Sequence, residues 1–166
     1  MKLVVLTTET KHHTYFINEM SKVVDDIHVI YESRRLSRPY VTGPFYEEEQ
    51  EQFEEMSFKS LSCEKPKKAK TYKSCNDAEC LRDLAEISPD IIISFGTGRL
   101  DEQVYSLAKI CALNVHRGYI SEYRGLDSDF WALYNREFNK IGVAIHHLDA
   151  QLDTGPVVRQ EIINIK

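Results

Sequence analysis

Short apolar runs alternate along the chain with stretches in which apolar residues recur at helical spacing. The first run, Lys2–Leu6, is apolar and β-branched, which is typical of a buried strand. Apolar side chains then recur at helical spacing from Tyr15 to Val24, and Ile27–Tyr31 is a second strand-like run. This order predicts a β-α-β unit, which favours a parallel sheet covered by helices.

The alternation of strand-like and helix-like segments continues to the end of the chain. The further predicted elements are, in chain order, a helix at Tyr46–Phe58, a helix at Ala78–Ile87, a strand at Ile91–Ile93, a helix starting at Asp101 with Val104, Leu107, Ala108 and Cys111 on one side, a strand at Ala112–Val115, a helix through Phe130 and Tyr134 capped by Asp127 or Ser128, and strands at Ile141–His147 and Pro156–Ile165. Three polar segments, Ser33–Pro44, the lysine-rich stretch 65–73 and Ser94–Arg99, are predicted to be loops. The predicted fold class is α/β, with a mostly parallel sheet and helices on both faces.

Composition narrows the class of protein. A chain of 166 residues with 42% hydrophobic and 28% charged residues suits one soluble globular domain, 1–166. The formal net charge of −5 argues against a nucleic-acid partner. No apolar run approaches the roughly 20 residues that a membrane helix needs, and no signal-peptide cleavage site follows the first strand. We therefore expect a cytoplasmic protein without a membrane partner.

Neither the cysteines nor the histidines form a pattern that predicts a metal site. The cysteines lack Cys-x-x-Cys spacing and are predicted to be free thiols; they are Cys63, Cys75, Cys80 and Cys111. His146 and His147 are adjacent on a predicted strand, so they face opposite sides, and a chelate between His12 and His13 is improbable for the same reason. The segment Gly96–Gly98 lacks the third glycine of a dinucleotide fingerprint, which argues against NAD.

Two polar elements follow late strands and could carry chemistry. Asn114 and His116 are two residues apart near the end of a strand, so their side chains point to the same side. The Gly155–Pro156 pair forces a turn that presents Asp153 just after the preceding strand. Each element alone is a weak signal, because an isolated Asn-x-His pair or Asp-Thr-Gly-Pro turn is more often structural than catalytic.

Together these elements form a more specific pattern. The pattern consists, in order, of Asn114-Val115-His116, Tyr123-Arg124-Gly125, Trp131-Ala132-Leu133, Gly142-Val143-Ala144-Ile145-His146 and Asp153-Thr154-Gly155-Pro156. It resembles the folate-dependent formyltransferase family, which includes glycinamide ribonucleotide, methionyl-tRNA and sugar N-formyltransferases. The resemblance is dense from Ile91 to Ile163 and loose before that. It implies a Rossmann-like sheet that binds 10-formyltetrahydrofolate as formyl donor, with no metal.

The resemblance also implies roles for individual residues. Asn114, His116 and Asp153 match the catalytic residues of the family, and His146 matches a histidine near the site. The pterin-binding segments match Phe95, Gly96, Thr97, Gly98 and Leu100, together with Leu148, Asp149, Ala150, Gln151 and Leu152. The residues expected on the acceptor side are Arg117, Gly118, Tyr123 and Arg124.

The acceptor of the formyl group stays open at this stage. We expect the amine of a small anionic metabolite, such as a nucleotide-linked amino sugar, with glycinamide ribonucleotide as the alternative and methionyl-tRNA less favoured. A catalytically silent folate-binding module is the alternative from another class. Many relatives follow the histidine with Pro-Ser, whereas here Arg117-Gly118 follows, and family cores usually continue beyond the last shared strand. The chain is therefore either a truncated or a minimal member, and a homodimer is compatible with it.

Overall fold

A seven-stranded sheet forms the centre of the computed structural model, which describes residues 1–34, 44–59, 61 and 66–164. The strands are β1 (Lys2–Thr7), β2 (Asp26–Glu32), β3 (Ala69–Tyr72), β4 (Ile91–Phe95), β5 (Cys111–Arg117), β6 (Gly142–His147) and β7 (Val157–Ile162). Their order across the sheet is β3-β2-β1-β4-β5-β6-β7. Strands β1 to β5 are parallel, and β6 runs antiparallel to both of its neighbours. The predicted α/β class with a mostly parallel sheet is confirmed.

Helices cover both faces of this sheet. They are α1 (Lys11–Ser21), α2 (Pro44–Phe58), α3 (Ala78–Ile87), α4 (Glu102–Tyr105) and α5 (Ser128–Tyr134), with a 3₁₀ turn at Phe138–Lys140. Successive residues of β1 point to opposite faces. Val4 therefore packs in one core cluster with Leu84 of α3, and Val5 packs in another with Ile17 of α1. Among the described helices, none combines the length and apolar character that a membrane span requires.

The lysine-rich stretch contains a strand that the sequence pattern did not predict. Ala69–Tyr72 pairs in parallel with β2 as β3, so the prediction of a loop over 65–73 is wrong there. The strand lies at the edge of the sheet, and three of its four residues are exposed. An edge strand of this kind tolerates lysine on both faces and needs no apolar alternation, which explains why periodicity failed to identify it.

Two boundaries near the site also differ from the prediction. The helix beginning after Asp101 ends at Tyr105, and Cys111 belongs to β5, so the prediction that Cys111 shares its apolar side is wrong. The N–H of Ile110 bonds the carbonyl of Asp90, so the chain has already left the helix before the strand begins. Strand β4 extends through Ser94 and Phe95, which were predicted to lie in a loop. Positions 35–43 of the predicted loop lie outside the described residues.

Candidate active site

A cavity of about 480 Å³ lies at the carboxyl ends of β1, β4 and β5. The strand order reverses between β1 and β4, and α/β sheets bind ligands in the crevice at such a switch point. The volume is within the range of small-molecule sites. The lining residues come from segments that are distant in sequence, within 8–13, 94–100, 114–117, 125–127 and 146–153, together with Gln50.

The three predicted catalytic residues converge at this cavity. Asn114 and His116 lie on β5 and point to the same side, as strand alternation predicts. The Asn114 amide nitrogen is 3.2 Å from Oδ1 of Asp153, and Nδ1 of His116 is 3.4 Å from Oδ2 of the same carboxylate. The structure thus brings all three together around Asp153, while their catalytic roles stay a prediction.

The amide of Asn114 is oriented by its neighbours on two sides. Ser94, its register partner on β4, donates from its hydroxyl to the amide oxygen at 2.6 Å. The carboxylate of Asp153 can only accept, so the amide nitrogen must face it. Ser94 is buried, with 2% exposure, and the sequence pattern did not identify it as part of the site. This arrangement directs the amide nitrogen of Asn114 toward Asp153 and His146.

His116 lies between two acceptors. Its Nε2 is 2.9 Å from the carbonyl oxygen of Tyr123, which can only accept, so Nε2 carries a proton. Its Nδ1 faces Asp153, which is also an acceptor when ionised. A ring protonated on both nitrogens donates to both neighbours. Both ring nitrogens of His116 therefore lie beside an acceptor.

His146 joins this group from β6. Its Nδ1 lies 2.9 Å from the carbonyl of His147 and donates to it, which leaves Nε2 facing the site. Nε2 is 3.1 Å from the Asn114 amide nitrogen and 3.4 Å from Oδ1 of Asp153. Without a proton it accepts from Asn114, and with a proton it donates to Asp153. His146 is only 1% exposed, so its fixed ring supports both residues.

Asp153 stays ionised although it is buried. Burial is the largest influence and by itself would raise the pKa of its carboxyl. The interaction with His146, the hydrogen bond from the Gly125 N–H at 2.8 Å and the charge of His116 oppose it. The pKa of Asp153 is therefore lowered below the ordinary 3.8.

The turn that carries Asp153 explains its local sequence. Asp153 has a φ of +51°, a left-handed conformation that aspartate tolerates better than most residues. A Cβ on Gly155 would lie 1.8 Å from the carbonyl oxygen of His147, so only glycine fits where the chain returns beside β6. These two residues fix the position of the carboxylate relative to β5.

The two predicted folate-binding segments lie side by side. Arg99 donates from its guanidinium to the carbonyl of Ala150 at 2.7 Å and so joins the two loops. Both loops line the cavity, through Phe95, Gly96, Thr97, Gly98, Leu100, Leu148, Asp149, Gln151 and Leu152. The carboxylate of Asp149 accepts from Thr154 and from the N–H of Gln151, so it shapes its own loop.

The residues predicted to lie on the side of the formyl-accepting amine divide into two groups. Arg117 lines the cavity, with a side chain that is 43% exposed and 3.8 Å from Asp129. Tyr123 bonds Glu137 and Asn135 with its hydroxyl, and Arg124 donates to the carbonyl of Ile120, so these side chains support the loop after β5. Their part in substrate binding stays a prediction.

Gly118 has a packing role that the sequence did not show. A Cβ at this position would lie 2.6 Å from the Cβ of Ser128 and 3.0 Å from Nε2 of His116. The glycine therefore lets the loop pass close to the predicted catalytic ring. The Arg117-Gly118 pair, which departs from the family pattern, is thus accommodated by tight packing against α5.

The turn between β1 and α1 adds residues to the cavity that the sequence analysis did not assign to the site. Thr8, Thr10, His12 and His13 line it. Burial, followed by the nearby His12 and Arg117, lowers the pKa of His13 to about 3, although a hydrogen bond from the ring to the carbonyl of Thr8 partly opposes this. His13 is therefore neutral near pH 7.

Comparison with known proteins identifies the family of this chain. The family model described as formyl transferase matches residues 1–166. Methionyl-tRNA formyltransferase of Kosmotoga olearia is 38% identical over 94 residues, which are 56% of this chain and 30% of that relative. The chain belongs to the formyl transferase family. It spans less than a third of that curated relative.

Solved structures show the same fold. Phosphoribosylglycinamide formyltransferase of Streptococcus pneumoniae superposes with a TM-score of 0.65 at 18% identity, covering 100% of this chain and 84% of that one. HypX of Aquifex aeolicus in complex with tetrahydrofolic acid gives a TM-score of 0.62 at 15% identity, covering 100% of this chain and 22% of that one. The Rossmann-like fold implied by the resemblance is thus confirmed.

Proposed function

We propose that this chain transfers the formyl group of 10-formyltetrahydrofolate to the amine of a small anionic metabolite. The observation that carries the proposal is the carboxylate of Asp153, held between Asn114 and His116 at the cavity. Family membership supports the reaction class. Formyl transfer needs hydrogen-bond donors for an oxygen that gains negative charge and an acceptor for the amine proton, and this group provides both.

Each residue of the trio has a defined task in this proposal. Asn114, whose amide Ser94 holds in orientation, donates to the oxygen that gains charge when the substrate replaces Asp153 or His146 as its acceptor. In its cationic form, His116 donates to the same oxygen when the substrate replaces one of its two acceptors, Asp153 or the Tyr123 carbonyl. Asp153 stabilises that cation and accepts the amine proton, directly or through water. The bond between the formyl carbon and N10 of the donor then breaks, and tetrahydrofolate leaves with a proton on N10, so the proton lost by the amine is balanced. No covalent nucleophile and no metal are needed.

The cavity fits a folate donor. The loops 95–100 and 148–152 present backbone groups and apolar side chains to it, and Arg99 ties the loops together. We assign the pterin to these two segments, as the family resemblance implies. 10-Formyltetrahydrofolate supplies the one-carbon group when bound. The structure of HypX in complex with tetrahydrofolic acid, which shares the fold, supports a folate ligand for this chain.

Two arginines, Arg99 and Arg117, line the cavity and are the groups that would bind an anionic acceptor, although Asp127, Asp149 and Asp153 line it as well. Arg117 lines it with a half-exposed guanidinium, and Arg99 and His12 add further nitrogen donors. A nucleotide-linked amino sugar carries both the amine and the negative charge that this lining would bind. Glycinamide ribonucleotide has the same features, and the structural similarity to phosphoribosylglycinamide formyltransferase favours it as the second candidate.

Two separate measurements test the proposal. Calorimetry with a non-reactive folate analogue should show binding, and a formyl-transfer assay with a panel of phosphorylated amines should identify a turned-over acceptor. Folate binding without transfer to any amine would favour a catalytically silent folate-binding module. A well-folded chain that does not bind the analogue would refute the folate assignment itself.

A further inference from the structure

The outer edge of β7 has no strand beside it among the described residues. Apolar side chains along this edge remain 46% to 55% exposed; they are Val157, Val158, Ile162 and Ile163. An exposed apolar edge strand is a template for pairing with another strand, and proteins usually protect such edges. The chemistry of the edge therefore indicates what could cover it.

The segment 157–163 is chemically symmetric about Gln160. Its sequence, Val-Val-Arg-Gln-Glu-Ile-Ile, has a cation before the central residue, an anion after it, and branched apolar residues at both ends. Two strands related by a twofold axis pair in antiparallel order. A second copy of the segment would therefore place Arg159 opposite Glu161 and branched apolar residues opposite each other.

The backbone of β7 has the direction that this pairing needs. The N–H of Ile163 donates to the carbonyl of Ile141 at 2.8 Å, so its main-chain groups face β6. In a strand, alternate residues direct these groups to opposite edges, so Gln160 and Ile162 present theirs outward. A twofold axis at Gln160 thus brings the outward-facing main-chain N–H and C=O groups of β7 opposite those of β7 in the second copy. The ladder to β6 is irregular at Val158, which the axis pairs with Ile162, so the regular pairing is centred on 159–161.

We propose that β7 is a dimerisation edge that pairs in antiparallel order with β7 of a second copy of this chain, about a twofold axis at Gln160. In the single chain, Arg159 bonds Glu161 on the same face, and both side chains are mostly exposed, at 73% and 63%. Pairing brings these charges beside their opposites on the second copy, at positions where cross-strand side chains are closest. The contact is small compared with permanent dimers, so association should depend on concentration.

Charge reversal tests the register. Arg159→Glu places four carboxylates around the axis, and the dimer dissociation constant should rise roughly tenfold to hundredfold. The double variant Arg159→Glu with Glu161→Arg restores opposite charges and should restore association. Analytical ultracentrifugation of the full chain over a concentration series measures both, and thermal unfolding checks that the variants are folded.

Hydrogen exchange gives a second readout that needs no substitution. Raising the protein concentration should slow exchange at the outward amides of Gln160 and Ile162 more than at Glu161, whose amide already faces β6. A chain that stays monomeric at every concentration would overturn the proposal. So would a dimer that Arg159→Glu does not weaken, or one that the double reversal fails to restore.

Discussion

Two buried histidines line the same cavity in opposite electrostatic surroundings. His116 is 6% exposed and faces the carboxylate of Asp153 and a carbonyl. His13 is 4% exposed and faces the hydroxyls of Thr8 and Thr10, with His12 and Arg117 nearby. Burial is similar at both positions, so the two rings differ mainly in their neighbours.

This difference separates a ring that can act in proton transfer from one that provides shape. Burial, His12 and Arg117 lower the pKa of His13 to about 3. Near pH 7 its ring is therefore neutral and lines the cavity as a hydrogen-bonding group. The buried carboxylate beside His116 instead provides a counter-charge. We infer that the side of the cavity near Asp153 carries the chemistry and the side near Thr8 shapes the pocket.

The largest expected loss of activity comes from truncating the side chains on the side of the cavity near Asp153. Asn114→Ala, His116→Ala and Asp153→Ala should each lower kcat roughly a hundredfold to a thousandfold while the fold remains intact, because each acts on charge that develops during transfer. The His116 and Asp153 effects should be non-additive, since a carboxylate that tunes an imidazole loses that task once the ring is gone. Steady-state kinetics with the acceptor found in the panel measures these losses.

Two variants serve as controls for that experiment. Asp153→Asn keeps a side chain that tolerates the left-handed conformation and can accept from Gly125, yet it removes the charge, so it should be folded and nearly inactive. His147→Ala changes the histidine next to His146 on the other side of β6 and should keep near-normal turnover. If His116→Ala were to retain near-normal turnover, the roles assigned to the trio would be wrong.

The neutral state of His13 in the folded chain should affect how the free energy of unfolding depends on pH. As pH falls below 6.5, His13 takes up a proton in the unfolded chain but stays neutral in the folded chain down to about 3. The contribution of His13 to the free energy of unfolding should therefore fall as the pH falls through this window, by about 2 kcal/mol between pH 6.5 and 5. Urea titrations should show a shallower decline for His13→Gln than for the wild type.

Asn18→Ala on the same helix is the matched control for the stability measurement. It changes no titratable group, so it should shift the free energy of unfolding by a similar amount at each pH. A difference between His13→Gln and the wild type that stays constant from pH 7 to 5 would show that His13 is not held neutral by the fold.

Strand alternation and resemblance were sufficient to predict the trio and the central fold. The placement of Asn114 and His116 on one side of β5 follows from a period of two residues, which any regular strand obeys. Strand β3 was missed because an exposed edge needs no apolar alternation. Ser94 and His13 were not assigned to the site because their roles depend on register between strands and on the packing of α1, which a local pattern does not contain.

The smallest expected effect concerns Ser94, whose hydroxyl orients the amide of Asn114 beside Asp153. Ser94→Ala removes one hydrogen bond to the Asn114 amide, worth about 1 kcal/mol, so kcat should fall about fivefold with little change in KM. Ser21→Ala, which removes a hydroxyl bond to the carbonyl of Ile17 within α1, is the control and should leave kcat unchanged. In an Asn114→Ala background, Ser94→Ala should have no further effect on kcat, because the amide that Ser94 orients is absent. A full fivefold loss in that background would show that Ser94 acts through another group.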